Sequence, residues 1–346
     1  LDRGYGVIQF YGVAANARGG VIVGGAQDNG TLLHPAASGA AGWTTLFGGD
    51  GGWCAADPSD PNYLYGEYVN CQIFRSADGG GSADYICGQY WDTPTKQWLW
   101  KPAPYLIPDA QPPADPDHPT ALFIAPFVLD PSDPSTLLAG GASMWRCADA
   151  RTPNDDAART GPSWVRIKPP VGPLISAIAI SPTDSDQVWV GHQDGQIFVT
   201  ANGRAATPEW RQIAGAADSP LSIARYCSSF YPGAGDPGEI YVSYAAYRSG
   251  APGGNLWLSR DGGATWRDIG LTLPDAPVHR ISRHPTRAGL LYAGTEIGLF
   301  ASDDDGASWS PANEGPTNAP VYDITWMGST LICTTHGRGM FSIVVA

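Results

Sequence analysis

The chain has 346 residues, of which only 15% are charged, with 44 Gly and 31 Pro; that balance excludes long helices and suits many short strands joined by tight turns. A net charge of −13, from 20 basic and 33 acidic residues, repels phosphate backbones, so nucleic acid is excluded as a partner. The longest apolar runs are strand-length, so no membrane span is expected.

In chain order, strands are expected first over about residues 7–47, through Val21-Ile22-Val23 to Trp43. A repeated unit then sets the register: an apolar strand, a Pro-bearing turn, and a second strand ending in Gly. It appears at Cys54–Gly66, Val128–Gly140, Ile178–Gly191 and Ile281–Gly294. Pro131, Pro182, Pro232 and Pro285 are spaced by 51, 50 and 53 residues, the scale of one four-stranded propeller blade. The expected fold is therefore all-β: a seven-bladed β-propeller of four-stranded antiparallel blades. The blades fall at about 7–47, 51–104, 122–169, 174–214, 222–270, 278–315 and 321–345. The seventh is short, with three strands; Leu1–Tyr5 is the only candidate for a fourth. A segment at about 79–120 exceeds a standard blade and reads as a surface cover, a binding wall or a spacer.

A second pattern, S-x-D-x-G-x-x-W, stands at Ser259–Trp266 and Ser302–Trp309. Worn copies begin at Ser76 and Thr200, carrying Asp78 and Asn202. A short polar side chain can accept backbone N–H groups of its own turn, and Gly supplies the positive φ. Asp78, Asn202, Asp261 and Asp304 are therefore read as structural turn residues. Trp266 and Trp309 open the next strand and bury their rings.

These motifs resemble the Asp-box (BNR-repeat) β-propellers, which include sialidases, xyloglucan-active hydrolases, sortilin-type receptors and a photosystem assembly factor. Gln9-Phe10-Tyr11, Gly24–Thr31, Gly49–Gly52 and Thr335–Gly339 look most like large secreted bacterial BNR-repeat proteins described as glycosyl hydrolase-like. That resemblance runs from about Gln9 to Ile343. It implies an extracellular or periplasmic protein, and the start at Leu1 reads as the later part of a longer precursor that docks against other domains. The chain departs from the enzymes of that group: the sialidase signature Phe-Arg-Ile-Pro is only approached, by Ile73-Phe74-Arg75-Ser76 in a blade strand, and a xyloglucan hydrolase uses two propellers, of which one would give half a cleft.

In a propeller, the turns between second and third strands and the links between blades share one face. Asp50 and Asp28 are the leading carboxylate pair there for glycoside chemistry, with Glu67 beside them. Trp53 and Tyr68 are candidate sugar-stacking aromatics. Asn29, Asp194, Glu296, His336 and Arg338 complete the candidate binding set. Turn geometry alone also explains Asp28 and Asp194, and His336 and Arg338 are equally suited to bridging blades seven and one. The Asp-Pro-Ser-Asp-Pro turns would suit Ca²⁺ but lack the ligand density of a calcium loop, so no cofactor or metal is expected. Two readings follow: a propeller that binds or hydrolyses a glycan, or a non-catalytic scaffold for a protein such as one on a cell surface. Of six cysteines, Cys54–Cys71 and Cys87–Cys147 are the plausible disulfides, against six buried thiols.

Overall fold

The computed structural model describes residues 7–345 apart from 40, 217, 234, 313 and 314; the Leu1–Tyr5 candidate strand lies outside them. Seven antiparallel sheets surround one channel. Blade one comprises Phe10–Asn16, Val21–Ala26, Gly30–Pro35 and Thr44–Phe47. Blade two comprises Cys54–Ala56, Leu64–Glu67, Ile73–Ser76 and Asp84–Cys87. Blade three comprises Phe127–Leu129, Leu137–Gly140, Met144–Cys147 and Val165–Lys168. Blade four comprises Ile175–Ile180, Val188–His192, Ile197–Thr200 and Arg211–Ala214. Blade five comprises Cys227–Pro232, Ile240–Tyr244, Leu256–Ser259 and Arg267–Asp268. Blade six comprises Val278–Arg283, Leu291–Thr295, Gly298–Ser302 and Ser310–Pro311. Blade seven has three described strands, Val321–Met327, Thr330–Thr335 and Met340–Val344. The first strand of each lines the channel, and the only helices among the described residues are the short 3-10 turns Ala36–Ser38 and Pro108–Ala110.

The local code is visible in the turns. Asp261 Oδ1 accepts the Ser259 hydroxyl (2.8 Å) and Thr265 N–H (2.8 Å), while Ser259 Oγ accepts Gly263 N–H (2.8 Å). Asp304 and Asp78 repeat the arrangement with Ser308 and Ser82. These bonds stabilise the ionised form, chiefly through Thr265, Ser308 and Ser82, and hold all three carboxyls down at about 2. Asn202 Oδ1 accepts Thr200 Oγ1–H (2.7 Å) and Glu209 N–H (2.9 Å). The tryptophans join one blade to the one before. Trp309 donates Nε1–H to Ile269 O (2.6 Å), Trp210 to Ile167 O (3.0 Å) and Trp164 to Ile86 O (3.2 Å). Trp266 Nε1 is buried without an acceptor.

The ring meets itself where Asp323 of blade seven accepts Val13 N–H of blade one (2.9 Å) and pairs with Arg280 Nε (2.8 Å). Burial pushes the Asp323 carboxyl up, with Arg280 opposing. Apolar clusters fill the spaces between successive blades, as with Val23, Leu33, Leu64 and Phe74 between blades one and two.

The fourth strand of blade two, Asp84–Cys87, falls inside the stretch read as an insertion. A separate hairpin, Gln89–Asp92 with Gln97–Trp100, follows it. Beyond it, Leu106, Ile107 and Ala110 pack into the core between blades two and three. Asp109 Oδ2 accepts Ser143 N–H (2.8 Å) and Trp145 Nε1–H (3.0 Å).

The two expected disulfides are absent: all six cysteines are free. Cys54 packs with blade one, whereas Cys71 lies in the core between blades two and three, so one sheet separates them. Cys87 and Cys147 share that core but bond elsewhere. Cys87 Sγ accepts Ile107 N–H (3.3 Å), and the Cys147 thiol faces Asp149 Oδ1 (3.2 Å).

Candidate functional site

The site is built by a repeated irregularity. In blades one, four, five, six and seven the pairing of first and second strands skips one residue. The skipped residues are Tyr11, Ser176, Ser228, His279 and Tyr322. A bulge re-aims a side chain out of the pleat. All five line one cavity of about 330 Å³ at the channel mouth, joined by Trp53 of blade two. Phe123, half exposed, and Tyr226 complete the wall.

Aromatic and imidazole rings cluster on one side of this mouth. His279 stacks on Tyr322 (4.3 Å, 11°), Tyr322 lies 5.0 Å from His336, and Tyr11 lies 5.1 Å from His336. His279 Nε2 is 2.8 Å from Glu296 Oε2. Burial pulls the His279 pKa down, with Glu296 opposing. The neutral imidazole then carries its proton on Nε2, donating to the carboxylate. Burial also lowers His336, whose Nδ1 is buried without a partner. Tyr11 donates to Gln27 Oε1 (2.5 Å), and its hydroxyl pKa is raised by burial and then by Asp50 and Asp28. The two aspartates thus stand beside the ring cluster.

The candidate residues divide accordingly. Asp50 Oδ1 accepts the backbone N–H of Asp28 (2.9 Å), where Asp28 holds φ 59°. The pair is in contact, with one carboxylate serving the other residue's backbone. Asn29 is exposed and bonds Gln27 O (2.8 Å). Tyr68 packs over Gly49, where an added Cβ would sit 2.5 Å from its ring. Trp53 faces the cavity and lies under the Arg280 guanidinium (5.3 Å). Glu296 and His336 join the ring cluster. Asp194 uses both oxygens on Gln196 in its own turn (3.1 and 2.7 Å). Arg338 reaches Thr317 O (3.3 Å) in the link between blades six and seven.

Glu67 is fully buried. Its Oε1 accepts N–H from Ala125 (2.8 Å) and Cys71 (3.1 Å), while Oε2 has no partner. Burial pushes its carboxyl from 4.5 up to about 8, against those two bonds. At the matching position other blades carry Gly25, Gly140, Gly191 and Gly294, where an added Cβ would strike the next blade at 2.0–2.6 Å. After blade two the long connecting segment leaves room for a carboxylate.

Tyr11, His279, Tyr322 and Tyr226 line the mouth without being singled out by turn or link position in the sequence. Their signal was available: each opens, or stands just before, a channel-lining strand of a blade. Chemically, the mouth offers flat apolar faces next to carboxylate acceptors and neutral imidazoles, an arrangement that stacks on a ring while taking its hydroxyl protons.

No protein-family model matches the chain, and no curated protein sequence does. Among solved structures, a GH74 xyloglucanase from Xanthomonas campestris superposes with a TM-score of 0.64 at 18% identity, over 98% of this chain and 52% of the enzyme's. The chain spans about half of that enzyme's length, and what the two share is the seven-bladed propeller fold.

Proposed function

We propose that this propeller binds a glycan at its channel mouth, outside the cytoplasm. The observation that carries this reading is the ring of bulge residues. It puts Tyr11, Tyr322 and His279 around one cavity, His279 stacked on Tyr322 and Tyr11 edge-on to it, with Glu296, Asp50 and Asp28 at its margin. Aromatic faces stack on sugar rings, and carboxylates accept their hydroxyl protons. The fold shared with a xyloglucanase agrees with a glycan ligand. Binding accounts for the geometry better than hydrolysis does. Asp50 is engaged by Asp28 N–H, and Glu67 is sealed beneath the mouth.

A polysaccharide and oligosaccharide panel tests this, read by affinity electrophoresis and by release of reducing ends. Wild type should bind at least one glycan. Tyr322→Ala should weaken that binding tenfold or more, with Asp194→Asn, whose side chain bonds only Gln196 of its own turn, unchanged. Reducing-end release abolished by Asp50→Asn would move the reading to hydrolysis. Failure of wild type to bind any glycan would end it.

A further inference from the structure

The aromatic surface continues past the mouth cavity, outward over blade two. Phe123, half exposed on the cavity wall, lies next to the turn Tyr68–Gln72: its carbonyl accepts Asn70 N–H (3.0 Å), and Leu122 O accepts the Asn70 side-chain amide (3.0 Å). Tyr68 N–H closes the turn on Gln72 O (2.9 Å). The fourth strand of blade two returns to the same place, since Cys87 pairs with Ile73. The hairpin of Gln89–Asp92 with Gln97–Trp100 therefore stands on the mouth face, its base held by Lys101 N–H on Gly88 O (3.1 Å).

Rings line the way from that turn to the hairpin. Tyr68 packs over Gly49, next to Asp50 of the mouth margin. The Tyr85 hydroxyl pKa is raised by burial and then by Tyr68, which places the two phenols near one another. An added Cβ at Gly88 would meet the Tyr85 ring at 3.2 Å and Gln72 Cβ at 3.5 Å, so Gln72 flanks the same ring. Tyr85 lies 6.4 Å from Trp98 (84°), and Trp98 lies 5.6 Å from Trp91 (66°). The two tryptophans are directly opposed across the hairpin and are 55% and 42% exposed, Trp98 the more so. In an edge-to-face pair each ring keeps at least one face out of the contact. Gln89, two residues before Trp91, shares the tryptophan face of the hairpin. The side-chain amides of Gln72 and Gln89 have no partner among the described residues.

We propose that Tyr68, Tyr85, Trp98 and Trp91 form an outer binding track, which holds further sugar units of an extended glycan chain whose end or middle is seated at the mouth. This rests on the glycan reading of the mouth and narrows it: the ligand is an oligosaccharide or polysaccharide chain, and a mono- or disaccharide reaches only part of the site. Two observations favour a sugar chain as the occupant. The track is continuous with the cavity through Phe123 and the Tyr68–Gln72 turn. It also repeats the cavity's chemistry, flat ring faces interleaved with polar groups free to bond hydroxyls, here the amides of Gln72 and Gln89.

Calorimetric titration of the full chain with the di- and hexasaccharides of cellulose, mannan, xylan and chitin tests this. At least one hexasaccharide should bind, about tenfold tighter than its disaccharide. Trp98→Ala and Trp91→Ala should each bring the hexasaccharide affinity down toward that of the disaccharide and leave the disaccharide unchanged. Trp98→Tyr, which keeps a flat ring, should retain most of the gain, whereas Tyr322→Ala at the mouth should weaken both lengths. Equal affinity for the two lengths overturns the track and leaves the mouth reading standing. A wild type that binds none of the hexasaccharides also overturns the track, and the wider glycan panel then decides the mouth alone. Loss of binding in Trp98→Ala with none in Tyr322→Ala overturns the continuity of the two and the mouth reading with it. Self-association of the wild type that is lost in Trp98→Ala overturns the track as well and assigns the tryptophans to a second copy.

Discussion

Replacing Glu67 with Gln should stabilise the protein, and by an amount that grows with pH. In the unfolded chain Glu67 loses its proton near 4.5, whereas burial holds the folded carboxyl protonated up to about 8. Between those values the unfolded state releases a proton that the folded state keeps. Stability attributable to Glu67 is therefore full below 4.5 and is lost as pH rises toward 8. Each pH unit across the window costs about 1.4 kcal/mol, or roughly 3–4 kcal/mol between pH 5 and pH 8. Gln cannot ionise, yet it keeps an oxygen for the N–H groups of Ala125 and Cys71. Urea unfolding of wild type and Glu67→Gln at pH 5, 6, 7 and 8 measures the difference, and charge effects common to both chains cancel. A gap between the two that stays constant from pH 5 to pH 8 would refute the claim that a buried, neutral carboxyl sits at this position.

Three further outcomes are expected. Trp309→Phe should cost about 1–3 kcal/mol by removing the Nε1 bond to Ile269 O; Trp266→Phe, whose Nε1 is already orphaned, should cost clearly less in the same urea assay. Arg280→Met should destabilise by about 3–5 kcal/mol because Asp323 is left buried and uncompensated, and adding Asp323→Asn should recover part of the loss; an unchanged midpoint in the single variant would contradict a structural role for the pair. Asp304→Ala should speed hydrogen exchange at Ser308. In wild type that protection belongs to the ionised carboxylate, so it should be complete above pH 3.8 and fade as pH falls through about 2.

The propeller was legible because its turns are local. A Ser-x-Asp-x-Gly corner or an Asp-Pro turn forms from residues adjacent in the chain, so its repetition reports the blade period directly. The mouth was half legible for the same reason. Asp28 and Asp50 meet through a turn and a link, and Glu296 and His336 lie in turns of the same face. Tyr11, His279 and Tyr322 depend instead on a skipped residue in strand pairing, a property of two strands together that neither shows alone. Glu67 groups with the turn carboxylates of the mouth face because nothing in its own turn reveals that the segment leading to Ala125 folds over it. The cysteine pairs failed for a related reason. Proximity of strands in sequence does not tell that Cys54 and Cys71 lie on opposite sides of one sheet, nor that Cys87 and Cys147, which share a core, turn to Ile107 N–H and Asp149 instead of to each other.

The bulged first strands separate recognition from packing. Within each such strand one residue is turned toward the common axis, while neighbours such as Val13, Ala177 and Ile281 stay committed to the interior. Exchanging Tyr11, His279 or Tyr322 would then change the lining of the mouth without unpicking a sheet, whereas Ser176 and Ser228 tie their blades to the next through Cys227 O (2.7 Å) and Val278 O (2.6 Å). The same irregularity thus gives the mouth an aromatic sector, at Tyr11, His279 and Tyr322, and a hydroxyl sector, at Ser176 and Ser228, that fastens blade to blade.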